Sequence, residues 1–181
     1  SFMSADYEVK RDSWNDVAIE VYYKHDYNVD TMIQSAKASL DYFTTNFSNY
    51  QYDQFRIVEF PGFQGRFAQS FPNTIPFSEN IGFTADLRDK TKIDYVYYVT
   101  AHELAHQWWA HQVIGADVQG QTMIVESLAQ YSALMVMETA YGKDQMKRFL
   151  AYEMDRYLSN RGSELIEELT LYLVENQPYI H

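Results

Sequence analysis

The stretch TAHELAHQWWAHQ, residues 100–112, gathers His102, Glu103, His106 and His111 beside Trp108 and Trp109. In a helix, residues four apart lie on one face, so His102 and His106 present two imidazoles side by side and Glu103 projects along the same rim. That is the donor set of a zincin: two ring nitrogens on Zn²⁺, and a carboxylate that stays off the metal and sits next to its water. Zinc lowers the pKa of that water to about 7, and the carboxylate takes its proton as the water attacks a carbonyl. The rival reading is a helix with a few core histidines whose nitrogens find ordinary partners. A third ligand separates the two.

His111 does not serve as that ligand. Nine residues past His102, it lies about half a turn around the helix, and the metzincin pattern needs other residues where Trp109 and Gln112 stand. It reads instead as a helix C-terminal residue favoured by the dipole. Glu126, an acid in the otherwise apolar run QTMIVESLAQYSALMVME, fits better. An unpaired buried carboxylate is expensive, and no Lys or Arg lies between Lys92 and Lys143 to pair with it. A zinc ion would compensate it. The expected site is therefore His102, His106 and Glu126 on the metal, with Glu103 as general base.

These residues need a scaffold. VAIEVYY at 17–23 is β-branched and aromatic and reads as a strand. Residues 30–47 place Ile33, Ala36, Leu40, Phe43 and Phe47 at helical spacing, with Asp30 as N-cap. QFRIVEF at 54–60 reads as another strand, ended by Pro61 and Gly62. Strand, helix, strand implies a crossover and a sheet that is at least partly parallel. Residues 61–80 carry three of the four prolines and read as one long irregular stretch, with a short strand expected at 81–86. From Ile93 the pattern turns helical, over about 93–111, 121–141, 144–159 and 163–169. The reading is a mixed α+β fold over residues 1–181, one domain with an α/β part to about residue 92 and a helical part from about residue 93.

The bulk numbers exclude some partners. The 181 residues, 46% of them hydrophobic, supply one sizeable core. A net charge of -11 denies the chain the basic footprint of a nucleic-acid binder. With no cysteine, a metal must be held by imidazole and carboxylate. No apolar run approaches the roughly 20 residues that span a bilayer, so a soluble piece without membrane contact is expected, its compartment left open. The start SFMSADYEVKRD and the end ENQPYIH carry no targeting or capping signal, and the chain reads as part of something longer.

With HELAH and a downstream glutamate, the sequence resembles the zinc aminopeptidases related to aminopeptidase N, gluzincins with the pattern H-E-x-x-H, eighteen residues, then E. Here nineteen residues, Gln107 to Val125, intervene, and the turn around GADVQGQT has room for the extra one. The family's G-A-M-E-N element, whose glutamate holds the substrate's amino group, resembles PFSEN at 76–80. The resemblance thus implies Glu79 as amine anchor and Asn80 as its neighbour, with Pro76, Phe77 and Ser78 replacing Gly-Ala-Met. Over residues 54–141, ESLAQYSALMVME and HQWWAHQVIGA are similar to a bacterial branch, some of whose members are joined to permease-like membrane segments.

What the resemblance implies is a thermolysin-like catalytic domain, one Zn²⁺ per chain, a peptide substrate with a free N-terminus, and a parent protein that is membrane-associated. It also implies an oxyanion-stabilising tyrosine downstream, either Tyr179 or a residue past His181. Two other functions stay open: an endopeptidase in which Glu79 is incidental, and a non-catalytic, zinc-stabilised binding or assembly module of a membrane transport system.

Overall fold

Strands β1 (Glu8–Trp14) and β2 (Val17–Tyr23) form an antiparallel hairpin in the computed structural model, which describes residues 4–161 and Thr170. Its tight turn puts Asn15 at φ 47°, a left-handed conformation that asparagine tolerates. Helix α1 (Val29–Asn46) then crosses over to β3 (Gln54–Phe60), which runs parallel to β2 with Ile19 opposite Phe55 and Val21 opposite Ile57. The crossover expected from the sequence is therefore present. Strand β4 (Thr74–Ser78) adds in parallel beyond β3, and the sheet order is β1-β2-β3-β4.

Helix α1 buries Ile33, Ala36, Leu40 and Phe43 against this sheet, as their spacing required. Its start differs from expectation: Asn28 is the N-cap, and Asp30 lies in the first turn, exposed and paired with Lys10 at 2.5 Å. Asn28 spends its amide elsewhere, donating to Gly82 O at 2.7 Å and Ala85 O at 2.9 Å. These bonds pin residues 81–86, which form turns and not the strand expected there. Their apolar character has another cause: Phe83 is fully buried against Phe77. A second correction concerns 61–80, where β4 occupies the end of the supposed loop. Proline is tolerated within a strand at a sheet edge, and Pro76 sits in this last strand of the order.

The second half supplies α2 (Tyr95–Ala105), α3 (Gln121–Tyr141) and α4 (Lys143–Arg161). Asp94 caps α2 by accepting Tyr97 N–H at 3.0 Å. The helix expected to run to residue 111 stops at Ala105; beyond it, Gln107 and Trp108 bond back three residues while His111 and Val113 reach back five. His111 thus stands among turns, not on a regular helix end. Both tryptophans fix this distorted segment. Trp108 is buried against Phe43 and donates to Ser48 O at 2.9 Å, and Trp109 donates to Ser132 Oγ of α3 at 2.8 Å. The helix expected at 163–169 and Tyr179 lie outside the described residues. Among those described, no helix is long and apolar enough to cross a membrane.

Candidate active site

Packing of α2 against α3 brings Glu126 to His102 and His106. His102 and His106 face each other with Nε2 atoms 3.2 Å apart, and a Glu126 oxygen lies 3.3 Å from the first and 3.4 Å from the second. Four ligands placed tetrahedrally at zinc's usual bond lengths of 2.0–2.1 Å are separated by about 3.3–3.4 Å. The three measured edges match that spacing. Protonation supplies a further argument: His106 Nδ1 donates to Trp109 O at 3.1 Å, so in the neutral ring Nε2 is a lone pair. With His106 neutral, that lone pair faces a Glu126 oxygen 3.4 Å away, an arrangement that a cation between them relieves. The donor set therefore fits zinc.

Burial pushes the Glu126 carboxyl up, but hydrogen bonds and attraction from His102 and His106 outweigh it and hold the group well below the usual carboxylate range. For His106 burial pulls downward, and Glu126 reverses the sign. Among the described residues, nothing bonds to His102 Nδ1. Glu103, next along α2, is buried, and desolvation raises it against the opposing pull of both histidines. Its carboxylate also accepts the backbone N–H of Ser70.

All four residues line a cleft of about 680 Å³. The opposite rim is the segment Arg66–Ser70, also in the lining, which folds back antiparallel on β4 through Ser78 N–H to Phe67 O at 3.0 Å and Gln69 N–H to Pro76 O at 3.1 Å. Sequence reasoning missed this rim. The one available signal was composition, since glycine and proline density marks a loop but not which of its residues faces the site.

Glu79 and Asn80 are not brought to the cleft. Glu79 follows β4 at the end of the sheet, where its carboxylate accepts Gly62 N–H at 2.7 Å and lies close to His25 and Glu59. Asn80 folds over Gly62 so closely that a Cβ there would fall 1.9 Å from Asn80 Nδ2. Neither lines the cavity that holds His102, His106 and Glu126. β4 ends at Ser78, and the two residues of PFSEN that follow it stand at the end of the sheet.

Comparison with known proteins now bears on the reading. The model of the peptidase family M1 domain matches residues 27–177, most of the chain. The chain belongs to peptidase family M1. This M1 chain also shares its fold with a solved structure, the Legionella pneumophila aminopeptidase A in complex with aspartic acid, at TM-score 0.63 and 19% identity. The match covers 82% of this chain but only 18% of that one, so the M1 chain corresponds to less than a fifth of the Legionella protein's length. No curated protein matches it.

Proposed function

We propose that this M1 chain is the catalytic part of a zinc aminopeptidase, with His102, His106 and Glu126 holding one Zn²⁺ and Glu103 as general base. The observation that carries the reading is the triangle of donor atoms at 3.2–3.4 Å, opening on a cleft beside a buried carboxylate. Bound there, zinc supplies the Lewis acid that makes a water acidic near neutral pH. Glu103 takes the proton from the attacking water and returns it to the leaving amine. Burial helps, since it lifts a carboxylate toward the pH at which it works as both base and acid.

The rim positions the peptide. Ala68 opposes Phe77 at a bridge whose hydrogen bonds are made by its neighbours, so the N–H and C=O of Ala68 point away from β4. An extended substrate meets that free edge and adds to it as a strand does. Because Glu79 lies outside the cleft, an exopeptidase must take the substrate's ammonium on other carboxylates of the lining; Glu153 on α4 is one that stands outside the metal set. The same observation favours an endopeptidase as the second reading.

One assay separates them: hydrolysis, by the zinc-loaded chain, of a short peptide with a free N-terminus and of its acetylated form, with and without chelator. Chelator-sensitive loss of the first residue from the free peptide alone is the expected result. Cleavage of both peptides would establish the endopeptidase. Cleavage of neither, despite bound zinc, would overturn the enzymatic reading in favour of a binding module.

A further inference from the structure

Glu103, Gln107 and His111 stand four residues apart along the end of α2 and the turns that continue it, and all three reach the same short piece of the rim. Glu103 accepts the Ser70 N–H. Gln107 is fully buried and spends its amide on residues 70–73 alone: Nε2 donates to Ser70 Oγ at 2.6 Å and Phe71 O at 2.8 Å, and Oε1 accepts Asn73 N–H at 2.9 Å. Burial pulls the pKa of the His111 ring down, and the Ser70 backbone beside it opposes that pull. Ser70 is thus gripped at its N–H and its hydroxyl, with the His111 ring beside its backbone. A buried amide is costly unless bonded, and here its bonds do not serve the helix that bears it.

We infer that Gln107 and His111 are positioning residues which clamp Ser70–Asn73 to the end of α2, so that the Ser70 N–H holds the Glu103 carboxylate in its working orientation. Neither touches substrate or metal. Their effect passes through one residue, Ser70, whose hydroxyl accepts from Gln107 and whose backbone stands between His111 and Glu103. The inference rests on the base role given to Glu103 above, but the clamp itself is independent of it.

The test uses the zinc-loaded chain and four variants: Gln107→Leu, Gln107→Glu, His111→Phe and His111→Asn. Asparagine keeps a hydrogen-bonding side chain at that position, and phenylalanine removes it. Zinc content, amide hydrogen exchange over residues 66–73, and kcat and KM on a free-N-terminus peptide are measured for each. In His111→Phe, exchange across 66–73 should rise about ten-fold or more, and kcat should fall about ten-fold, at the lower edge of what a misplaced general base costs. KM should stay within about two-fold and zinc content unchanged, with His111→Asn recovering most of both losses. Gln107→Leu should loosen the segment further, and Gln107→Glu should recover only the Asn73 contact.

Unchanged exchange in both His111→Phe and Gln107→Leu would overturn the clamp. Faster exchange with kcat unchanged would reduce it to a structural contact and overturn the positioning role. If Gln107→Leu does not fold, the His111 pair decides alone. If the parent chain cleaves no peptide, the functional reading fails, and exchange by itself judges the clamp.

Discussion

Two clusters that join histidine with glutamate stand among the described residues, and their spacing sets them apart. In His102, His106 and Glu126 the donor atoms stand 3.2–3.4 Å from one another, as ligands around a common ion do. In His25, Glu59 and Glu79, His25 Nδ1 lies 2.5 Å from Glu59 Oε1, a hydrogen-bond distance and closer than two ligands of one zinc ion stand. The remaining Glu59 oxygen is already taken by Lys24 N–H at 2.6 Å and His25 N–H at 3.1 Å. Similar residue types are thus arranged in two ways: one set faces the cleft with its donor atoms at ligand spacing, the other bonds the ends of β2, β3 and β4.

Substitutions sharpen the contrast. Glu103→Gln should keep zinc and lose about 10² to 10⁴ in turnover, the usual worth of a general base; turnover of the parent's size would remove Glu103 from that role. Glu126→Ala should lose the metal. The parent is then stabilised by about 2.7 kcal/mol when free zinc is at 100 times its dissociation constant, a rise in melting temperature that the variant should lack. A variant still holding one equivalent of zinc would move the third ligand elsewhere. Glu59→Ala is the matching change in the other cluster. It strands the Lys24 and His25 amides and should cost roughly 1–3 kcal/mol, with zinc content unaltered. Loss of zinc there would erase the distinction between the clusters.

How far these features were legible in the sequence follows from the kind of signal each leaves. Helices α1 and α3 and strands β2 and β3 bury one face or both, so periodicity and β-branching announce them. Strand β1, EVKRDSW, is almost wholly exposed, and it forms because β2 offers it a partner, not because its side chains need a core. Strand β4 was hidden by Pro76. HELAH marked His102, Glu103 and His106 by spacing alone, and Glu126, a lone acid in an apolar run, was reachable as their companion; the structure brings all four to one cleft. The position of Glu79 at the end of the sheet was not legible, since a motif's distance along the chain does not say where a strand stops. Ser70 left no trace at all: the link inferred from it to Glu103 runs through its backbone, and backbone groups are the same in every sequence.

The smallest predicted effect concerns Glu79. Glu79 is half-buried and accepts one backbone bond, from Gly62. Glutamine keeps an acceptor oxygen of nearly the same reach, so Glu79→Gln should change stability by no more than about 0.5 kcal/mol. If Glu79 anchored the substrate's ammonium, removing its charge would take away a charge-assisted hydrogen bond of about 1.5–3 kcal/mol, and KM for a free-N-terminus peptide would rise more than ten-fold. From its position outside the cleft, KM should instead stay within about two-fold of the parent. The same measurement on Glu153→Gln supplies the control, because that carboxylate does line the cleft. A large KM effect at Glu79 and none at Glu153 would mean that the end of β4 turns inward when substrate binds, and that the division between the two clusters holds only for the empty cleft.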